Sequence, residues 1–179
     1  MLGTSFAGRI RPGLGAGLAL LVLAVVIAGR PGPAVQAQTA GPVSLTERAI
    51  TLEGADAMIR AGVARARELG LAQVIVVADG NGLMKAMVRM DTARVSSISI
   101  AHDKAFTAAV RRQSTEEFGN GLVGNPAGLA SIAAQPHMYL GAGGLPIVVD
   151  GQVIGGIGVS GGTGAQDVDV ATAALAAIR

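Results

Sequence analysis

Apolar residues recur at helical spacing in several stretches of the chain, and in two others they follow strand-like runs joined by tight turns. Leu52, Ala55, Ile59, Gly62, Val63, Ala66 and Leu69 repeat every three or four positions, with Arg60, Arg65, Arg67 and Glu68 between them. That period predicts an amphipathic helix ended by Gly70. Two starts fit it: a capping box over Ser44 to Glu47, or Thr51 followed by Glu53 and Asp56. The β-branched run Val74 to Ala78 predicts a buried strand, and Asp79-Gly-Asn-Gly82 a turn. Leu83 to Met90 then alternates, Met84, Ala86, Val88 and Met90 against Lys85 and Arg89, which predicts a hairpin with one buried face.

A second long helix fits Val95 to Arg112, with Ile98, Ala101, Ala105 and Ala108 on one stripe. Ser114 to Glu117 starts a short helix, 119–128 reads as a loop, and 127–134 allows one or two further turns. Leu145 to Val149 and Gln152 to Val159 flank Asp150-Gly151, a second hairpin with a two-residue type I′ turn. The final helix begins near Ala165, acidic at Asp167 and Asp169, apolar at Val168, Ala171, Leu175 and Ile178. Two hairpins interleaved with helices predict an α+β domain: a central antiparallel sheet covered by helices.

The N-terminus follows other rules. Arg9 and Arg11 precede an uncharged run, Pro12 to Gly29, and small residues end at Val35-Gln36-Ala37. These are the three parts of a secretory signal peptide, expected over 1–37 with a flexible lead-in over 38–50, and they point to a periplasmic or secreted protein. The alternative is an uncleaved anchor, since the run lies just under the roughly 20 apolar residues of a spanning helix; that is the one membrane contact the sequence offers. All 12 acidic residues and all but three of the 14 basic ones lie beyond Ala37, so a processed chain carries 11 basic against 12 acidic side chains. The alkaline balance of the whole chain therefore belongs to the leader, and no nucleic-acid partner is expected. The chain has no cysteine and no tryptophan. Disulfides and thiol chemistry are excluded, and the core must be aliphatic.

Gly156-Ile-Gly158-Val-Ser-Gly161 matches the dinucleotide-binding GxGxxG pattern, but it follows a hairpin strand and no ribose-binding acid has room to follow it. The glycines read better as clearance for a backbone, helix or flat ligand, and as entry to a helix whose N-terminus could hold an anion. His102 lies within the second helix and His137 at a loop–strand boundary; they form no HxxxH pair, and a closed zinc site is not expected. Lys104, Thr107 and Arg111 share a helix face, either a solvated stripe or a cationic wall for an acidic ligand. Glu116-Glu117 and Asp167/Asp169 read as helix-start acids.

Val76-Val-Ala-Asp79-Gly-Asn-Gly82, Arg89-Met-Asp91, Lys104-Ala-Phe-Thr107, Gly143-Gly-Leu-Pro146, Asp150-Gly151 and Gly155 to Gly161 occur in this order. As a set, with the closing Asp167 helix, they resemble the GlcG/HbpS family, the haem-degrading domain family similar to the C-terminal domain of PduO corrinoid adenosyltransferases. The resemblance covers the domain expected over 51–179. It implies a profilin-like α+β fold, homo-oligomers, and haem or another tetrapyrrole as cofactor in an exported accessory concerned with sequestration or sensing. It carries no axial ligand to a particular residue. Chemistry ranks His102 first as the iron ligand, with His137, Met138 and Tyr139 behind it. Lys104 or Arg111 would meet propionates beside Thr107, and Met84, Met87 and Phe106 would supply apolar walls. The sequence departs from the family at Thr92-Ala-Arg94, where a small Gly-containing turn is usual. A binding protein is expected before an enzyme. The competing expectation is a non-haem oligomeric scaffold, or a small-acid-binding accessory of a periplasmic enzyme or sensor.

Overall fold

The Thr51 hydroxyl accepts a hydrogen bond from Gly54 N at 3.1 Å and starts α1 (Leu52–Glu68). The computed structural model describes residues 47–179, so the expected leader, the Ser44 start and most of the lead-in lie outside the described residues. Ile50, assigned to that lead-in, is buried in the core. β1 (Val74–Asp79) turns into β2 (Met84–Arg89) where the Asp79 carboxylate accepts from Asn81 N at 2.9 Å and Leu83 N at 3.1 Å. α2 (Ser96–Arg111) follows, then α3 (Thr115–Asn120), begun by a Ser114/Glu117 capping box, and α4 (Pro126–Ala133), begun by Asn125. β3 (Gly144–Val149) and β4 (Gln152–Ser160) meet at Asp150 and Gly151, with φ +49° and +75° as a type I′ turn requires. α5 (Gly164–Ala176) starts from a Thr163/Gln166 capping box.

The strands form one antiparallel sheet in the order β2-β1-β4-β3, so each hairpin contributes one inner and one edge strand. α1 and α5 cover one face, where Ile75, Val77, Ile157 and Val159 meet Met58, Ala66, Val170 and Ala174 in an aliphatic core. α2 covers the other, where Val74, Val76 and Ala78 meet Ala101 and Ala105. Glycine makes that second contact possible: a Cβ on Gly156 would run into the Ala105 carbonyl, and one on Gly158 into the Ala101 carbonyl. The GxGxxG run is therefore a bed for a helix. Arg65 joins α1 to α5 through a two-pronged bond to Asp169, Nε to Oδ1 at 3.0 Å and Nη2 to Oδ2 at 2.7 Å. That hydrogen bond, with the Arg65 charge, holds the Asp169 carboxyl below its ordinary pKa.

The buried face of β2 is shorter than expected. Ala86, Val88 and Met90 pack against the α1/α5 core as predicted, but Met84 is exposed because an edge strand is covered only along part of its length. Thr92 takes φ +65°, a left-handed conformation that β-branched residues rarely adopt, at the very turn where the sequence departs from the family. Among the described residues, no helix is long and apolar enough to cross a membrane.

Candidate functional site

The 134–143 segment lies over α2 because Thr107, buried mid-helix, bonds it at two points. Its hydroxyl donates to the His137 carbonyl at 3.2 Å and accepts from Tyr139 N at 2.9 Å. Between these bonds His137 is held at φ +62°. Such a conformation persists in a non-glycine residue only where its surroundings enforce it.

The result is a cluster that spacing could not show. His102 Nδ1 and His137 Nδ1 lie 3.2 Å and 3.0 Å from the same oxygen, Oδ1 of Asp103. The two rings sit edge to face with centroids 5.0 Å apart, and the Phe106 ring is 5.8 Å from that of His137. A carboxylate only accepts hydrogen bonds, so the tautomer that suits this arrangement is the one that donates Nδ1–H to Asp103 and leaves the Nε2 lone pair for a ligand. A carboxylate that fixes the tautomer is the usual outer support of a metal-binding histidine. The His102 side chain is 30% exposed and that of His137 55%, so solvent and ligands reach both. One donor atom from each of His102, Asp103 and His137 lies within 4.8 Å of the others, so the cluster can either hold a small transition ion directly or, with Asp103 kept as the outer support, present an imidazole to iron.

The expected cationic wall is corrected. Lys104 is 3% exposed, and its Nζ donates to Asp167 Oδ2 at 2.7 Å and to the Val159 carbonyl at 2.8 Å. It neutralises a buried acid and is not available to a propionate. Thr107 is likewise consumed by the loop above it. Arg111 bonds Gln135 Oε1 at 3.1 Å and lies 4.7 Å from the Phe118 ring centroid. The Lys104–Thr107–Arg111 face is thus the seat of the 134–143 segment and β4 rather than a solvated stripe. His102 and Phe106 occupy the adjoining face and do come together with His137. Met138 turns inward, its sulfur 3.8 Å from the Thr107 hydroxyl, and Tyr139 lies against Lys104, so neither joins the cluster.

Two residues went unrecognised in the sequence. Asp103 carried a signal, an acid adjacent to a histidine. Asp167 reads as an ordinary first-turn acid, yet it also accepts from Gln73 Nε2 at 2.8 Å and Gly162 N at 2.9 Å.

Comparison with known proteins agrees with this architecture. The chain is 39% identical over 115 residues to protein GlcG of Escherichia coli strain K12, covering 64% of this chain and 84% of that one. The structure of a Streptomyces reticuli HbpS double mutant superposes with a TM-score of 0.69 at 32% identity, covering 79% of this chain and 99% of that one. A PduOC–haem complex superposes with a TM-score of 0.67 at 33% identity, covering 73% and 96%. Residues 50–176 match the family described as haem-degrading protein HbpS-like, and the chain belongs to that family.

Proposed function

We propose that this protein binds haem through one imidazole of the His102–His137 pair, with Asp103 orienting the rings and the second histidine supporting the first. One observation carries the reading: two histidines far apart in sequence converge on a single carboxylate oxygen, which leaves an Nε2 for iron. The donor set fits the group. Bound haem would supply an iron centre able to take an axial ligand, and this chain's part is to present an imidazole in a fixed tautomer and exclude water on the Phe106 side. A relative that was solved with haem supports the same reading.

The cluster is open to solvent on one side, so a second copy of the chain supplies the missing wall in this proposal. Leu83, Met84 and Met87 stand exposed along edge strand β2 and its turn, apolar surface of the kind an assembly covers. Export through the 1–37 leader, with sequestration or sensing of haem outside the cytoplasm, completes the proposal. Haemin titration of the full-length protein, followed at the Soret band, tests its core. Saturable binding that weakens at least tenfold in both His102→Ala and His137→Ala is expected. Wild-type binding that is non-saturable, or wild-type affinity retained in both variants, would overturn it.

A further inference from the structure

A separate cavity of about 280 Å³ opens between the first turn of α2, the β4–α5 loop and Tyr139. Its volume falls below the roughly 300–1,000 Å³ of drug-sized ligand sites, too small for a porphyrin. The buried Lys104–Asp167 pair lies in its wall, fixed further by the bonds from Gln73 and Gly162 to Asp167. Arg94 stands exposed beside it, bound through Nη2 to the Gly161 carbonyl at 3.1 Å, with the rest of its guanidinium fork unengaged among the described residues.

Two hydroxyls line this cavity without partners. Ser97 is 3% and Ser160 5% exposed, and neither side chain makes a hydrogen bond among the described residues. Neither hydroxyl is sealed off, since the sealed side-chain atoms without a partner among the described residues are Gln73 Oε1 and Arg111 Nε; both serines therefore open onto the cavity and suit a polar occupant. α2 begins there without a side-chain cap and without an acid in its first turn, so the positive end of its dipole is uncompensated. Arg94 and Lys104 against Asp167 leave one net positive charge in the lining.

We propose that the cavity binds a small organic monocarboxylate bearing a hydroxyl or oxo group beside the carboxylate. Arg94 and the Ser96 N–H take the carboxylate, since the Ser97 and Ile98 N–H groups already donate to the Arg94 and Val95 carbonyls; Ser97 and Ser160 pair with the neighbouring oxygen. A phosphate dianion is disfavoured because its second charge would face Asp167 uncompensated. The proposal stands independently of haem, since none of its residues belongs to the His102–His137 cluster.

Isothermal titration of the full-length protein with lactate, propionate and inorganic phosphate tests it. Lactate is expected to bind saturably and at least tenfold more tightly than propionate or phosphate. Arg94→Gln, a surface change that preserves the fold by circular dichroism, should weaken lactate at least tenfold. Ser97→Ala should bring lactate down toward propionate and leave propionate unchanged. Absence of saturable lactate binding, undiminished binding in Arg94→Gln, or tighter binding of phosphate than of lactate would overturn the proposal.

Discussion

The two faces of the sheet are closed with different material. Under α1 and α5, Met58, Ile75, Ile157, Val159 and Val170 interlock, and stability comes from aliphatic volume removed from water. Under α2 the contact is alanine against glycine and valine, and there the buried polar groups gather: Ser97, Lys104 and Thr107 on the helix, Ser160 at the end of β4 and Asp167 reaching in from α5. A thin apolar layer yields little burial energy. What it permits is close approach, so that one lysine can reach a β4 carbonyl and an α5 carboxylate together. The aliphatic face holds the fold together, and the thin face places the loop that carries His137.

If that contrast is right, removing one charge from the thin face should hurt as much as a large cavity in the thick one. Asp167→Ala strands the Lys104 ammonium and is expected to cost about 3–5 kcal/mol in denaturant unfolding. Lys104→Met with Asp167→Leu should recover a large part of that loss, because apolar pairs often replace buried ion pairs well. A single-variant cost below about 1 kcal/mol would break the comparison. Next in size is Gly158→Ala, whose methyl meets the Ala101 carbonyl. Pushing α2 off the sheet should cost about 1–3 kcal/mol and weaken haem binding, because His102 and Asp103 ride on that helix.

Smaller effects sharpen the picture away from both interfaces. Thr92→Gly removes a left-handed β-branched residue from an exposed turn. It is expected to raise stability by up to about 1 kcal/mol, the strain relieved less the chain entropy of glycine. The smallest effect belongs to Asp169→Asn on the α1/α5 side. Arg65 keeps the Asp169 carboxyl below its ordinary value in the folded state. That contribution is present above the unfolded pKa and is lost as pH falls through the folded one. Thermal midpoints of wild type and variant should therefore differ slightly at neutral pH and converge well below about pH 3.9, the ordinary aspartate value.

The elements were legible because their periods differ. Val74 to Ala78 and the Asp150-Gly151 turn declare strands and a hairpin, and Leu52 to Leu69 declares a helix. The glycines of β4 announce close approach, and Thr92 stands where a glycine would suit its positive φ. The face of α2 was harder to read. Its Ala101, Ala105 and Ala108 stripe is visible in the sequence, but the buried surface extends past it to Lys104, Thr107 and Ala109, and a lysine beside alanines reads as surface. The His102–Asp103–His137 cluster was legible only in part. His102 could be chosen by chemistry, but the path of the chain at 134–143 is set by two hydrogen bonds to Thr107 that no periodicity encodes.

Asp103 is the common support of the two imidazoles. Haemin affinity of Asp103→Ala against wild type, each checked for an unchanged circular dichroism spectrum, tests this most directly. Loss of about 10–100-fold, the usual effect of removing an outer partner of a metal-bound histidine, is the predicted result. Unchanged affinity and an unchanged Soret maximum would contradict it.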